Sequence, residues 1–361
     1  MKADETRTRR PGAAPLRVAF VACNRNRRRY QEDPSFLYRC RNLAAALACG
    51  GHQTRTVHLH RLNPWAPLDA VVFHRPRYTP RFRAVLTILR RRGVRVLADV
   101  DDLIFDEALA GFSPGVMNGQ VEEGETRAVF AAHRRALAEM ATITVSTAPL
   151  ADEARRCFPG AEIAQLPNAV HADWRALSPG GAPPSDRPAI TYFPGTRSHD
   201  RDFALVAPVL EALLARHPEL EVHITGPLEF HLRARPGQVR HHPKVAFEAL
   251  HPRVRAARVN IAPLERTPFT RCKSALKVME AGYWGVPTVT SPLPDAERFA
   301  GDGVAFADAE AHWHDALERL LDPEHHAAQT AGLRERVLAR ADVHRVAESF
   351  ARVIRCGAGR S

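Results

Sequence analysis

Lysine is scarce in this sequence: among 361 residues it occurs only at Lys2, Lys244, Lys273 and Lys277. Arginine therefore supplies nearly all of the positive charge behind the net charge of +11. So general a use of arginine is a compositional habit, and a single arginine carries little information about function. Two of the four lysines, at 273 and 277, are spaced by one helical turn in the sequence, and this pair carries more information about function.

Several motifs that would define other classes of protein are also missing. The six cysteines form no C-x-x-C pair, which favours reduced thiols over a disulfide framework. The 18 histidines include no H-E-x-x-H pattern, so we expect no metal site. The first strand is not followed by G-x-G-x-x-G, which disfavours a dinucleotide-binding first domain.

Long apolar runs are absent too. No window approaches the ~18 apolar residues of a membrane span, and the polar N-terminus lacks the apolar centre of a signal peptide. We therefore expect a cytoplasmic protein whose only membrane contact is peripheral, with the anionic inner face. Aromatic residues make up 7% and no nucleic-acid-binding motif occurs, so no specific nucleic acid is expected as a partner.

Strand and helix patterns alternate along the chain, which predicts an α/β protein with parallel sheets. A Pro/Gly/Ser-rich segment interrupts the alternation around 178–188 and is typical of a linker. We predict two Rossmann-like domains that face each other across a cleft. The predicted segments are a disordered tail (1–15), a first, acceptor domain (16–178), the linker (179–188), a second, donor domain (189–340) and a C-terminal segment that packs back on the first domain (341–361).

The stretch 273–284 is predicted to be a helix that follows a strand of the second domain. At 100° per residue, Lys273, Lys277 and Glu280 share one stripe. Two ammonium groups and a helix N-terminus near Ser274 suit a diphosphate, and the carboxylate suits ribose hydroxyls. The alternative is a solvated polar face on which Glu280 forms a salt bridge with Lys277.

A resemblance to a known family supports the first of these interpretations. The segment "NIAPLERTPFTRCKSALKVMEAGYWGVPTVTS" (260–291) resembles the donor-binding region of retaining family-4 glycosyltransferases (glycosyl transferases group 1), which have the GT-B fold. Residues 190–227 resemble the opening of their second domain, and "LPNAV" (166–170) resembles the end of their first. The resemblance covers roughly 16–350 and is strongest in the second half.

The resemblance implies transfer of a sugar from a UDP- or GDP-linked donor, with retention and without metal or another cofactor. The acceptor would be a glycan, a lipid-linked molecule or another acceptor, in polysaccharide or glycolipid assembly. Carried over by position, the donor-binding residues are Gly195, Thr196, Arg197, Ser198, His199, Arg201, Gly226, Lys273, Ser274, Lys277 and Glu280. Where the family often has a first glutamate, eight positions before Glu280, this chain has Cys272.

The first half offers three candidate catalytic residues. His74 ends a predicted strand, where the resembling enzymes often keep a residue close to the reacting sugar; packing beside Pro76 is the alternative. Asp101 and Asp102 are expected to contact acceptor hydroxyls or to orient a cation, although an aspartate capping a turn is an equal alternative.

Other functions stay open on the sequence alone. Asp99 and Asp101 match the D-x-D of metal-dependent GT-A enzymes. The sequence is also compatible with a catalytically silent GT-B relative and with a basic binding protein. The arginine-rich loop within 24–39 suits an acceptor phosphate, a lipid diphosphate or an anionic membrane, or is a solvated loop.

Overall fold

Two parallel sheets of six strands each form the framework of the protein in a computed structural model that describes residues 14–177 and 187–356. The first sheet has the order β2-β1-β3-β4-β5-β6. Its strands are β1 (Arg17–Ala22), β2 (Gln53–His58), β3 (Ala70–His74), β4 (Arg95–Val100), β5 (Thr142–Val145) and β6 (Glu162–Gln165).

The second sheet has the order β12-β11-β10-β7-β8-β9. Its strands are β7 (Ala189–Tyr192), β8 (Glu221–Thr225), β9 (Val239–His242), β10 (Val259–Ala262), β11 (Thr288–Thr290) and β12 (Val304–Phe306). Residues 1–13, 178–186 and 357–361 lie outside the described part, so most of the predicted tail and of the predicted linker is not described.

Helices connect the strands. They are α1 (Pro34–Phe36), α2 (Asn42–Cys49), α3 (Pro80–Arg91), α4 (Pro114–Met117), α5 (Glu123–Leu137), α6 (Ala148–Cys157), α7 (Ala172–Arg175), α8 (Asp200–Ala204), α9 (Ala207–Arg216), α10 (Leu250–Arg255), α11 (Pro268–Arg271), α12 (Leu276–Tyr283), α13 (Glu310–Leu321), α14 (Pro323–Thr330), α15 (Leu333–Arg340) and α16 (Val343–Cys356). None of these described helices is long and apolar enough to cross a membrane.

The central strands are buried on both faces, as their nearly continuous apolar sequences predict. Every residue of β3 is buried, and so is every residue of β5, β7 and β10. Because all strands of a sheet run the same way, their carboxyl ends lie at one edge. The ladder between β3 and β4 pairs His74 with Asp99 at that edge, which places both side chains where the two domains meet.

The C-terminal helix α16 returns to the first domain. Its apolar face packs with residues of β1 and α2, and the rings of Phe20 and Phe350 lie 5.7 Å apart. Phe350 is 1% exposed. The end of the chain therefore contributes to the core of the first domain.

The structure differs from the sequence-based prediction in three places. The helix predicted over 273–284 begins only at Leu276, after the short helix α11. The segment 35–51, whose sequence predicts a helix closed by Gly50-Gly51, contains a π-helical segment at Leu37–Arg41. The sequence analysis missed β6, β9 and β12, because these are short strands with polar residues and partial exposure, and their hydrophobic signal is weak.

Replacing Phe350 by alanine tests the role of α16. We expect Phe350→Ala to lower the free energy of unfolding by roughly 3–5 kcal/mol, because the ring is buried against Phe20. Urea denaturation measures this loss. Arg352→Ala, on the exposed face of the same helix, is the control and should change stability by about 0.5 kcal/mol at most. Equal effects of the two variants would contradict a packing role for α16.

Candidate active site at the domain junction

The first domain contributes a buried ion pair at the carboxyl edge of its sheet. Asp99 is 3% exposed and accepts hydrogen bonds from Arg39 Nη2 (2.7 Å) and Thr144 Oγ1 (2.6 Å). Burial alone would raise the pKa of Asp99, but the Arg39 guanidinium and the hydrogen bond from His74 lower it to about 2. Asp99 is therefore an ionised anchor whose oxygens are already occupied.

Asp99 orients His74, one of the candidate catalytic residues. Asp99 Oδ2 lies 3.0 Å from Nδ1 of the ring, and Ser35 Oγ lies 2.8 Å from Nε2. Since the Ser35 hydroxyl donates to Asp101 (2.6 Å), its oxygen is left to accept from His74 Nε2. His74 is 2% exposed, so it reaches a substrate only if Ser35 moves aside.

Arg75 links the two other candidates, Asp101 and Asp102. Its Nε donates to Asp101 (2.7 Å) and its Nη2 donates to Asp102 (2.6 Å). Burial would raise the pKa of the Asp101 carboxyl, but Arg75 holds it well below its usual range. Arg75 is the one non-glycine residue with positive φ (48°) in 14–177 and 187–356. Strain of this kind is maintained only where surrounding contacts enforce it, and here two carboxylates do so.

The network crosses to the second domain through Lys273. Its Nζ donates to Asp102 Oδ1 at 2.9 Å and lies 5.1 Å from the Phe269 ring centre. Lys273 precedes α12 rather than lying on it. Next to it, the Ser274 hydroxyl accepts a hydrogen bond from Asn168 of the first domain (2.9 Å). The carboxylates of one domain thus meet an ammonium group of the other.

Lys277 and Glu280 lie on α12 and face the same junction. Glu280 accepts a hydrogen bond from the hydroxyl of Tyr38 in the first domain (2.6 Å). Lys277 Nζ lies 6.0 Å from the centre of the Tyr192 ring and forms no hydrogen bond or ion pair with the described residues. The expected alternative, a solvated Lys277–Glu280 salt bridge, does not form.

The acids nearest to Lys277 are engaged elsewhere. Asp202 binds His199 Nδ1 (2.8 Å) and the backbone N–H of Glu265 (2.8 Å), and Glu280 binds Tyr38. Burial lowers the pKa of Lys277, and Asp202 offsets only part of this effect. An ammonium group is therefore held at the domain junction without a direct counter-charge.

The loop after β7 faces α12. Gly226 has φ +135°, and a Cβ there would lie 2.1 Å from Pro194 O, so only glycine allows β8 to end so close to this loop. Within the loop, the hydroxyls of Thr196 and Ser198 bond each other (2.6 Å). Lys244 donates to the carbonyl of Gly195 (2.9 Å).

The cationic side chains of this loop differ in whether a carboxylate of the protein already binds them. The Arg201 fork is held by Glu265, with contacts of 2.8 and 2.7 Å. Arg197 is exposed and lies 3.8 Å from Glu229. Burial lowers the pKa of His199, and the neighbouring Lys277 lowers it further. The structure thus places Lys277 beside His199, whereas Arg197 and Arg201 point to acids of their own domain.

The crevice between the domains is narrow. Its walls come from α4 and Asn118 of the first domain and from 198–202, 264–270 and Lys273 of the second, and its volume is about 10 Å³. Asn118 donates to Ser198 O (3.1 Å) across the crevice. The two domains are therefore in direct contact here, and this pocket is too small for a nucleotide.

Cys272, at the position of the family's first glutamate, belongs to the core. It is 2% exposed, and its backbone carbonyl accepts from Thr147 Oγ1 of the first domain (2.9 Å). Burial raises the pKa of its thiol to about 12. The side chain is therefore a neutral apolar filler and does not replace a carboxylate.

Sequence reasoning missed the residues that orient the candidates, namely Ser35, Tyr38, Arg39, Arg75 and Asn168. Four of these are polar residues on loops or helices of the first domain. They reach the strand ends only through the fold, so no local sequence pattern marks them. Arg75 carried a local signal: it lies between a strand-ending histidine and Pro76, where the backbone is restricted.

Comparisons with known proteins agree with this architecture. Residues 201–352 match the family model described as glycosyl transferase-like. The matched segment, in the second half of the chain, is glycosyl transferase-like, and the two-domain fold is that of GT-B proteins. The two-sheet fold also excludes the alternative of a single-sheet GT-A enzyme, and Asp99, one of its two proposed metal ligands, is occupied by Arg39, His74 and Thr144.

Solved structures of other proteins show the same fold. Sucrose-phosphate synthase from Thermosynechococcus elongatus is 17% identical, with a TM-score of 0.63 over 96% of this chain and 100% of that one. A glycosyltransferase from Rickettsia africae is 10% identical, with a TM-score of 0.62 over 96% of this chain and 100% of that one. An E. coli trehalose-6-phosphate protein bound with UDP-2-fluoro glucose is 12% identical, with a TM-score of 0.53 over 79% of this chain and 72% of that one. Comparison with curated proteins gives no significant match.

Protonation of Glu280 should make the stability of this protein depend on pH. Burial raises the pKa of Glu280 from 4.5 to about 7, although the Tyr38 hydrogen bond and Lys277 act in the opposite direction. The native state therefore binds a proton that the unfolded chain releases, and the contribution of Glu280 to stability falls as pH rises from 4.5 to 7. We expect Glu280→Gln to flatten the slope of Tm against pH in this window. An unchanged slope would contradict the raised pKa.

Restoring a glutamate at position 272 should destabilise the protein. Cys272→Glu would bury an unpaired carboxylate in the core, at a cost of about 3 kcal/mol or more. The same change at exposed Cys49 is the control and should have a small effect. Chemical denaturation compares the two variants. A Cys272→Glu variant as stable as the original protein would show that this side chain reaches solvent or a ligand site.

Proposed function

We propose that this protein is a glycosyltransferase that transfers a sugar from a nucleoside diphosphate sugar, linked to UDP or GDP, to a glycan, lipid-linked or other acceptor. One observation carries the proposal: Lys277 holds a half-buried ammonium without a direct counter-charge beside Lys273, at the carboxyl ends of the second-domain strands. Ligands of parallel α/β sheets bind at this edge. A diphosphate is the anion that two neighbouring ammonium groups would share.

The donor would enter after the domains separate. Lys273 would then exchange Asp102 for the diphosphate, and Glu280 would exchange the Tyr38 hydroxyl for ribose hydroxyls. The loop Gly195–Arg201 faces α12 and offers the hydroxyls of Thr196 and Ser198 to the same anion, with His199 beside Lys277. Closure of the domains would remove water from the site, which protects the donor from hydrolysis.

Catalysis would rest on stabilising the departing diphosphate. Cations that are already fixed in a dry crevice need no reorganisation when the glycosidic bond breaks. The network of Asp99, His74, Ser35 and Asp101 borders this crevice from the first domain, where the acceptor would bind. The resemblance to retaining family-4 enzymes is the basis for proposing retention and independence of metal. Localisation in the cytoplasm and a role in polysaccharide assembly are proposed on the same basis.

Nucleotide binding tests the proposal directly. UDP or GDP should raise Tm, because a ligand that binds only the native state stabilises it. Lys277→Met keeps an unbranched chain of similar length over Tyr192 but removes the charge, so it should abolish most of the shift. Thermal-shift measurements over a series of nucleotide concentrations give the affinities.

Two controls separate the site from general electrostatics. Lys277→Arg should keep part of the shift, and Arg319→Met, at an exposed position of α13, should keep all of it. If no nucleoside diphosphate changes Tm, or if Lys277→Met responds like the original protein, the proposal is wrong.

A further inference from the structure

A second cationic site lies in the first domain, outside the donor crevice. It is an open groove of about 940 Å³ between the ends of β1, β2 and β3 on one side and α5 on the other. We call it the arginine groove after Arg25, Arg27 and Arg77, which line it. The backbone N–H of Cys23, also in its wall, bonds the carbonyl of His74 (3.3 Å), so the groove adjoins the catalytic candidates.

The charge of this groove is not balanced. In 14–177 and 187–356, no carboxylate forms an ion pair with Arg25, Arg27 or Arg77, and the one acid in the lining is Glu125. Arg29, on the same loop but outside the lining, is different: it binds Glu32 at 2.8 Å. Of the two groove arginines on this loop, Arg25 and Arg27, neither has the kind of carboxylate partner that Arg29 has in Glu32.

Arg77 is held in place by a neutral partner. Nε of Arg77 donates to His133 Nε2 (3.1 Å), and His133 Nδ1 bonds the carbonyl of Pro76 (2.7 Å). This arrangement requires the proton on Nδ1 and the neutral ring. His133 is 4% exposed, and burial together with the adjacent Arg77 lowers its pKa to about 3. The guanidinium is thus oriented while its charge and its Nη donors remain available.

The cations also crowd one another. Burial lowers the pKa of Arg77, and Arg25 and Arg75 lower it further. Burial lowers the pKa of His60, which also lines the groove, and Arg27 adds to the shift. An anion between these side chains would relieve their repulsion, and a planar guanidinium with free Nη donors matches a phosphate in particular.

Part of the lining is apolar. It includes Leu59 beside the strand ends, Val129 on α5 and Tyr78, whose ring centre lies 3.9 Å from the Arg135 guanidinium. A groove that combines cations with aliphatic and aromatic surface fits a phosphate attached to an organic body.

From these contacts we infer that the arginine groove binds a phosphate group of the acceptor, with Arg77 as its oriented ligand and Arg25 and Arg27 closing around it. The inference rests on the proposed function, which places the donor at Lys277 in the other domain. The phosphate could belong to a soluble phosphorylated acceptor or to a lipid headgroup, and the chemistry of recognition is the same for both.

Binding of phosphate probes to the full chain tests the inference. Titration calorimetry in the Lys277→Met background, which removes the proposed donor site, measures binding of glycerol 3-phosphate, with glycerol as the uncharged comparison. Cosedimentation with vesicles of phosphatidylglycerol in phosphatidylcholine, and of phosphatidylcholine alone, forms the lipid arm. Binding in one arm identifies the source of the phosphate; binding in neither arm overturns the inference.

Substitutions at matched positions identify the ligands. Arg77→Gln should weaken binding roughly tenfold or more, because it removes a charge-assisted hydrogen bond. The double variant Arg25→Gln/Arg27→Gln, at two exposed positions, should do the same. Arg29→Gln should leave the affinity unchanged. An equal loss in all three variants would show general electrostatic attraction and overturn the assignment.

The outcome is independent of the donor site. If UDP or GDP still raises Tm but the groove variants bind the probes like the original protein, only the arginine groove is refuted. The opposite result is that the probes bind the original protein, the groove variants do not bind them, and no nucleotide shifts Tm. The groove is then confirmed as an anion site, and the proposed function is refuted.

Discussion

An ammonium group that is half-buried without meeting a carboxylate is the constraint on which this account depends. Burial lowers the pKa of Lys277, and the two acids closest to it are engaged with other partners. A protein that uses arginine almost everywhere places lysine here, where a compact charge on a flexible stem can approach a phosphate. The glycine at 226, which brings β8 against the loop opposite α12, supports the same site.

The contacts between the domains stand where ligands are proposed to bind. Lys273 binds Asp102, Glu280 binds Tyr38, and Asn118 binds Ser198, and each pair joins the first domain to the second. These pairs satisfy polar groups that would otherwise be left unpaired at the domain junction. Under the proposed function, a bound donor would replace the partners that Lys273 and Glu280 have in this structure.

The sequence predicted the α/β architecture because central parallel strands are continuous apolar runs, and it located α12 through the spacing of Lys277 and Glu280. It placed Lys273 on the same helix, which was wrong, since the chain turns at 272–275 before α12 begins. It could not find Tyr38 or Ser35, whose roles depend on contacts with residues 242 and 39 positions away. Nor could it show that Arg77 has a neutral histidine for a partner, since His133 lies on α5. Local sequence patterns predict single helices and strands. Contacts between residues far apart in the sequence can be identified only once the fold is known.

The scarcity of lysine allows a direct test of the central claim. With ¹³C-labelled lysine the chain gives only four side-chain signals, and Lys277→Arg assigns the one that matters. Titration followed by NMR measures the pKa of Lys277 in the free protein and with UDP or GDP. The account predicts a pKa below the ordinary 10.5 in the free protein and a rise when the diphosphate binds. An ordinary pKa that no nucleotide changes would contradict it.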